Sequence, residues 1–420
     1  MTHPEFRRLL TGIAMALVFV ALALIAGQVS ADGVTPCTIE RELMPVLVTG
    51  SELPMLQGAP ADSLFVYRYW EGGWEQIPFQ VDRVVGGVYT DTEGPLGPED
   101  EIALMASDLG DLPSPVDITS TLDISPTWYQ IEVTDPLTPT HKGWAYVVRS
   151  SNLTQTFTQT YASFDAENNR ITADRYVLGF AEGHPIFEYF ALNNSDVDIL
   201  DRTKIRAQTL FGPMTENDIP VDVSLVKDGP VRVIAVQGAV IEYIGYPGLI
   251  QTGLAYDLST IPFGVESVRL SMDFNSNVVT STFYNTNTLA GGVTIDGNDD
   301  PVALTPVSTW WQVSGETGTL VQVADLSGVG GTKTNYYKDD DALDDKDTGD
   351  QRSYGDTGIE VISPRGNIVY SSQYAILPPN QPNLGSDGVD RLLQPLQVET
   401  TMGGPVVHLY LPVVMKHWVQ

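Results

Sequence analysis

The densest group of residues that could do chemistry is an acidic run between positions 339 and 350. Carboxylates this close together repel one another unless water or a cation neutralises them, and hard oxygen ligands with a glycine for the turn suit calcium. We predict a calcium site built from Asp339, Asp341, Asp344, Asp345, Asp347 and Asp350. The alternative is a solvated acidic loop, because the spacing does not match an EF-hand.

The triplet Asp-Thr-Gly occurs at 347–349 and again at 356–358. Aspartic proteases use this triplet to bring two carboxylates around one shared proton. Two copies inside one loop cannot build the two lobes that such an enzyme needs. We therefore exclude an aspartic protease.

Aromatic residues indicate a second kind of site, because an exposed aromatic face stacks on the apolar face of a sugar ring. Neighbouring carboxylates would then accept hydrogen bonds from the sugar hydroxyls. The alternative is that each ring fills a β-sandwich core. The candidate glycan-stacking residues are Tyr67, Tyr69, Trp74, Trp310 and Trp311.

Basic residues are concentrated at one place, where Arg202, Lys204 and Arg206 alternate along a predicted strand. Together with His184 they could line a groove that steers a proton beside an acidic sugar. The same spacing fits a strand that makes cross-strand ion pairs. No serine-nucleophile elbow and no His-Glu-x-x-His zinc pair occurs in the sequence.

Composition excludes several classes of protein. The 420 residues contain 53 Asp+Glu against 22 Lys+Arg, a formal net charge of −31, which repels nucleic-acid backbones. The single cysteine excludes a disulfide framework, a Cys-rich zinc site and an iron–sulfur cluster. No nucleotide or redox cofactor is expected. The 42% of hydrophobic residues is enough for a large core.

The N-terminus has the three-part layout of a secretory signal peptide. Arg7 and Arg8 precede an uncharged apolar run over 9–26, and small residues at Val29 and Ala31 form a cleavage site. We expect cleavage after Ala31 and a secreted or cell-surface protein. An uncleaved segment would be its only contact with a membrane.

The remaining sequence is typical of an all-β protein. Short β-branched and aromatic segments recur between Gly, Pro, Asn and Asp, and residues 64–81 read as a hairpin. We predict a smaller N-terminal β-sandwich domain at 32–140 and a larger β-sandwich, or super-sandwich, at 141–405. The larger domain carries the acidic loop 339–358, and a tail occupies 406–420.

Two motifs resemble a known family. Residues 74–82 read Trp-Glu-Gln-Ile-Pro-Phe-Gln-Val-Asp before an acidic turn and Asp100-Glu101, and residues 227–232 read Lys-Asp-Gly-Pro-Val-Arg. Over about a third of the chain, this pattern resembles exported bacterial β-proteins found alongside polysaccharide-degrading enzymes. That family is similar in fold to galactose-mutarotase-like super-sandwich proteins and some polysaccharide lyases. The resemblance implies a carbohydrate context, but its motifs look structural and do not place that superfamily's catalytic His and Glu here.

These observations predict an exported, acidic β-sandwich protein of the cell envelope or extracellular space. We expect non-catalytic binding of a glycan or a surface protein, with calcium as a stabilising ion. The alternatives are a carbohydrate-active enzyme, of the polysaccharide lyase or epimerase type, and a surface-layer or appendage subunit.

Overall fold

The computed structural model describes residues 33–403 except 115–117, 120, 123, 185, 220–222, 238–240 and 259–263. The predicted signal peptide at 1–31 and the predicted tail at 406–420 lie outside the described residues.

The first eight strands belong to the N-terminal part of the chain. They are Pro45–Thr49 (β1), Leu64–Trp70 (β2), Gly73–Gln76 (β3), Gln80–Val85 (β4), Val88–Thr90 (β5), Glu101–Met105 (β6), Trp128–Asp135 (β7) and Thr138–Arg149 (β8).

The next ten strands follow with short connections. They are Ala162–Asp165 (β9), Arg170–Ala173 (β10), Tyr176–Phe180 (β11), Phe187–Leu192 (β12), Leu200–Thr209 (β13), Gly212–Met214 (β14), Val223–Asp228 (β15), Val233–Gln237 (β16), Ile241–Gly245 (β17) and Leu249–Asp257 (β18).

The C-terminal part contains the longest strands and the α-helix. Its elements are Val265–Phe274 (β19), Thr282–Asn285 (β20), Val293–Thr294 (β21), Trp310–Ser314 (β22), Thr319–Asp340 (β23), Ser353–Leu377 (β24), the helix Gly385–Leu393 (α1) and Gln397–Gly403 (β25). Single 3₁₀ turns lie at Gly50–Glu52, Ala61–Ser63, Ala106–Asp108, Glu216–Asp218 and Ser276–Val278.

The smaller unit is a sandwich of two antiparallel sheets, with strand orders β1-β6-β4-β5 and β25-β7-β8-β2-β3. Apolar residues alternate with polar ones along its strands, so one face of each sheet packs inward. Val46 and Ile102 from one sheet meet Val66, Ile131 and Val147 from the other in one buried cluster.

The larger unit packs a four-stranded sheet, β12-β11-β10-β9, against a twelve-stranded sheet. The long β23–β24 hairpin holds the twelve-stranded sheet together, since β24 pairs with β23, β18 and β19. Phe190 and Leu178 of the small sheet share a core with Phe274, Ile250 and Tyr374 of the large one. Burying each large apolar side chain contributes about 1.5–3 kcal/mol to folding.

The prediction of an all-β architecture is confirmed. Strand β8 crosses position 140, where the sequence predicts a domain boundary, and pairs with β7 and β2. The turn of this β7–β8 hairpin consists of Pro136 and Leu137. At the other end of the described chain, β25 returns to the smaller unit and pairs with β7.

The two motifs of the family resemblance meet where the units join. Arg232 is fully buried; its Nε donates to Asp82 Oδ2 at 2.8 Å and its Nη2 to Glu101 Oε2 at 2.6 Å. The side-chain oxygen of Gln80 accepts from the backbone N–H groups of Val231 and Arg232. This network attaches the smaller unit to the outer face of the large sheet.

Within the described part of the chain, no helix is long and apolar enough to cross a membrane.

Candidate functional site

The best candidate for a binding site is an open groove of about 490 Å³ on the outer face of the large sheet. We call it the sheet groove. Its polar floor is formed by residues of β17, β18, β23 and β24, namely Glu242, Gln251, Gly253, Asp325, Ser371 and Gln373.

Strand register places these residues side by side. Side chains alternate between the two faces of a strand, so neighbours in register point to the same side. In one row Glu242 lies opposite Gly253, Gly253 opposite Ser371, and Ser371 opposite Asp325. In the next row Gln251 lies opposite Gln373. The rows cross four adjacent strands and form a continuous polar floor.

Apolar contacts at both ends define the walls of the sheet groove. Ile244 and Ala375 of the large sheet pack against Ala103 and Met105 of the smaller unit. At the other end, Val323 and Trp310 pack against Val389 of helix α1. The groove therefore lies between the smaller unit and the helix, and junctions of this kind are common places for ligand sites.

The chemistry of the floor suits a ligand rich in hydroxyl groups. The two glutamine amides both donate and accept hydrogen bonds, whereas the carboxylates only accept them. The side-chain oxygen of Gln373 is buried and has no hydrogen-bond partner among the described residues. Gly253 leaves the middle of the floor open, since a Cβ there would meet nothing within 4 Å.

The electrostatics of the sheet groove exclude anions. Its described lining includes Glu242 and Asp325 but no lysine or arginine. Burial raises the pKa of Glu242, an effect that Arg232 opposes and Glu101 reinforces. One end of the groove therefore lies close to the network that joins the units.

A second groove, of about 520 Å³, lies beside the acidic turn before β6. Arg83 is already engaged there, 3.2 Å from Asp100 and hydrogen-bonded to the carbonyl of Pro95. Asp91 and Glu93 are exposed. Its lining also includes Thr90, Thr92 and Lys227, so it carries both charges, whereas the described lining of the sheet groove carries carboxylates without a cation.

The predicted basic residues lie in an ion cluster rather than in an open groove. Arg202 lies 3.5 Å from Glu216, and Lys204 contacts Asp273 and Asp347. Arg206 also pairs with Glu216 and Asp347. This arrangement matches the cross-strand ion pairs of the alternative interpretation. His184 is partly buried in the turn before β12.

The acidic loop divides into separate environments. Asp347 is drawn inward, where Lys204 and Arg206 outweigh its burial and lower its pKa to about 2. Asp201 accepts a hydrogen bond from the backbone N–H of Asp350, whose own side chain is exposed. The carboxylates of Asp341, Asp344 and Asp345 lie at the surface. The six predicted calcium ligands are therefore not gathered around one point.

Of the six predicted ligands, only Asp339 belongs to a group of carboxylates, among the residues that the structure describes, that could hold a metal. Its carboxylate lies within 4.8 Å of those of Asp296 and Asp300, which precede β22. Asp339 is fully buried, accepts backbone hydrogen bonds from Asp296 and Gly297, and has a pKa raised to about 6, mainly by burial. The sequence signal for this group is the Asp-x-Asn-x-Asp spacing at 296–300, which the sequence analysis missed.

The predicted stacking residues are mostly in the cores. Tyr67, Trp310 and Trp311 are buried, so their faces are closed to a sugar in this structure. Tyr69 and Trp74 are half-buried and pack edge to face, with ring centroids 5.3 Å apart. The floor of the sheet groove leaves no local signal in the sequence, because its polar residues are single outward positions on strands far apart in the chain.

No protein-family profile and no curated protein sequence matches this chain. Solved structures that are similar to it at low level include two bacterial glycosidases. An α-mannosidase from Enterococcus faecalis V583 is 9% identical with a TM-score of 0.45, over 88% of this chain and 45% of that one. An α-N-acetylgalactosaminidase, NagBb, from Bifidobacterium bifidum is 12% identical with a TM-score of 0.33, over 50% and 36%. The chain spans less than half the length of either protein.

Proposed function

We propose that this protein binds a neutral glycan in the sheet groove and does not cleave it. The observation that carries this proposal is the floor of paired amides and flanking carboxylates across four strands, in a volume of about 490 Å³. Pockets of about 300–1,000 Å³ hold small ligands, so the groove can take a short oligosaccharide segment.

The charge of the site supports a neutral ligand. Glu242 and Asp325 would repel uronic acids and sulfated sugars, and the described lining supplies no cation to offset them. Gln251 and Gln373 can each exchange hydrogen bonds with a sugar hydroxyl, which serves as both donor and acceptor. A basic peptide is the main competing ligand for an acid-lined groove, and it is one outcome of the test.

The spacing of the two carboxylates favours binding over hydrolysis. Glu242 on β17 and Asp325 on β23 are separated by three steps between neighbouring strands, which corresponds to about 14 Å at the usual spacing between strands. The paired carboxyl groups of glycosidases lie about 5–10 Å apart. Since side chains stand roughly perpendicular to a sheet, these two groups are too far apart to act as one catalytic pair.

A glycan array followed by calorimetry tests this proposal. We expect neutral oligosaccharides to bind, and the variants Gln251→Ala and Gln373→Ala to bind them more weakly. Gln397→Ala, a matched change on the exposed strand β25, should leave binding unchanged. An array without signal, or binding of basic peptides alone, would overturn the proposal.

We further propose that calcium stabilises the fold through Asp296, Asp300 and Asp339. Three carboxylates this close together repel one another, and a divalent cation with oxygen ligands relieves that repulsion. Calcium should raise the melting temperature of the chelator-treated protein, because an ion that binds only the folded state stabilises it. Asp300→Asn should abolish the increase, and Asp345→Asn should preserve it.

We propose that this activity takes place outside the cytoplasm. The support is the basic, apolar and small-residue order of positions 1–31, which is the layout of an export signal. N-terminal sequencing of the protein purified from culture medium or cell surface tests this assignment. An N-terminus at Asp32 supports it, and recovery of the intact chain from the cytosol contradicts it.

A further inference from the structure

A buried lysine lies against a buried aspartate at the centre of the ion cluster. Lys204 and Asp273 are 69 positions apart in the sequence, and neither side chain is exposed. The side-chain nitrogen of Lys204 is hydrogen-bonded to Oδ2 of Asp273. The other oxygen of Asp273 accepts a hydrogen bond from the backbone N–H of Tyr354 at 3.3 Å, which fixes the carboxyl group in place.

Adjacent strands hold this pair in register. On β13 and β19, Lys204 lies opposite Ser271, so Asp273 is its diagonal neighbour on the same face. The next strand, β24, carries Asp356, whose Oδ2 lies 3.9 Å from Nζ of Lys204. Three consecutive strands therefore bring an amine, a carboxyl group and a second carboxyl group together.

Asp356 is unusual because it is fully buried and lacks hydrogen bonds. Among the described residues neither of its oxygens has a hydrogen-bond partner, and the cations nearest to it are 3.8–3.9 Å away. A buried carboxylate left in this way is strongly disfavoured unless it has a catalytic role or another partner. Its carboxylate lies beside Nζ of Lys204, and this amine would have to lose a proton before it could form an amide with Asp273.

We propose that Lys204 and Asp273 condense to an intramolecular amide, with Asp356 as the group that moves the protons. Nζ of Lys204 passes a proton to Asp356 and attacks Cγ of the protonated Asp273. The Nζ–Cγ bond forms, and Asp356 protonates the departing hydroxyl group, so that the Cγ–O bond breaks and one water leaves. The new amide nitrogen, which still carries one proton more than a neutral amide, then gives that proton to Asp356, and Asp356 remains protonated.

The charges of the cluster fit these protonation states. Its five carboxylates, Asp201, Glu216, Asp273, Asp347 and Asp356, outnumber its four cations, Arg202, Lys204, Arg206 and Arg269. Burial raises the pKa of Asp273, and the charge of Asp356 raises it further, so Asp273 retains a proton readily. Burial lowers the pKa of Lys204, but the three aspartates raise it overall. The amine therefore becomes nucleophilic only by passing its proton to a neighbouring carboxylate.

An amide here would give the protein a covalent link that its sequence otherwise lacks. The chain has one cysteine and so cannot form an internal disulfide. Linking positions 204 and 273 restricts the unfolded chain, which is the way a disulfide over a long loop stabilises a protein. This inference concerns a different part of the molecule from the sheet groove and does not depend on glycan binding.

Intact mass spectrometry of the denatured full chain tests the proposal. We expect the protein to weigh one water less than its sequence, with the termini verified from terminal peptides. After digestion, the peptide that contains Lys204 should be joined to the one that contains Asp273. The Asp356→Asn variant should have the full mass calculated from its own sequence. The Asp345→Asn variant, an exposed control, should lose one water as the wild type does.

Three results would overturn the proposal. The first is a wild-type chain whose mass equals that of its sequence after prolonged incubation in the folded state. The second is a lost water with unlinked peptides, which would indicate a succinimide at one of the four Asp–Gly steps, at 32–33, 228–229, 296–297 and 387–388. The third is complete linkage in Asp356→Asn, which would remove the role of Asp356. Circular dichroism of that variant establishes that it folds, and the wild-type mass is informative whatever the variant does.

Discussion

The guanidinium group of Arg232 lies 2.7 Å from the carboxylate of Asp82, although the two residues are 150 positions apart in the chain. Both side chains are almost completely buried. Arg232 also donates to the hydroxyl group of Tyr246 at 2.8 Å and lies over the ring of Tyr89, 5.3 Å from its centroid. Two short motifs of the sequence therefore serve one purpose, which is to join the two units.

Loss of this arginine should strongly destabilise the protein. In Arg232→Met the carboxylate of Asp82 stays buried without its cation, and breaking such a pair typically lowers the free energy of unfolding by about 3–5 kcal/mol. Urea unfolding measures the change. Arg365→Met, on an exposed position of β24, is the matched control and should unfold like the wild type. Adding Asp82→Asn to Arg232→Met should recover part of the loss, and no recovery would contradict this explanation.

The glycine of the second motif should be intolerant of a side chain. A Cβ at Gly229 would lie 2.2 Å from the side-chain oxygen of Gln80, which is held by its hydrogen bonds to Val231 and Arg232. Gly229→Ala should therefore lower the free energy of unfolding by about 1–3 kcal/mol, the usual effect of overpacking. Gly291→Ala is the control, because a Cβ there meets nothing within 4 Å. Equal stabilities of the two variants would show that the junction can relax around the new methyl group.

Binding in the sheet groove should depend on the two amides to a similar extent. Each amide hydrogen bond contributes about 1 kcal/mol, so Gln251→Ala and Gln373→Ala should each weaken glycan binding about five-fold. Calorimetry on the neutral oligosaccharide selected by the array gives the ratio. Asp325→Asn should leave neutral ligands bound and admit anionic ones. Unchanged affinity in both alanine variants would place the binding site elsewhere.

Stability without calcium should fall as the pH rises. Burial raises the pKa of Asp339 in the folded state from its ordinary 3.8 to about 6, so its protonated form is favoured by folding. That contribution is fully present below pH 3.8 and is lost as the pH rises through about 6. Urea midpoints in chelator should show a smaller loss between pH 4 and 6 for Asp339→Asn than for the wild type. The comparison isolates this group, because Asp108 and Asp201 titrate similarly in both proteins. Parallel pH profiles would exclude Asp339 as the cause.

Local sequence pattern determined the fold class and several elements. β-branched and aromatic segments between turn residues predict strands. The hairpin predicted at 64–81 forms over 64–76, as β2 and β3 with Glu71 and Gly72 in the turn, whereas Gln80 and Val81 belong to β4 of the other sheet. Alternation along a strand reports which side is buried, because it depends only on backbone geometry. For that reason the all-β architecture could be predicted without knowledge of any long-range contact.

Long-range pairing decided the rest, and a sequence pattern does not specify it. The net charge of −31 revealed an excess of acids but not their partners, which depend on strands that meet only in the folded chain. Asp347 turned inward to Lys204, while Asp339 joined Asp296 and Asp300. The strand that carries Arg202, Lys204 and Arg206 was visible in the sequence. Only the order β13-β19-β24 brought Lys204 to Asp273 and Asp356, because side chains far apart along the chain become neighbours through sheet topology.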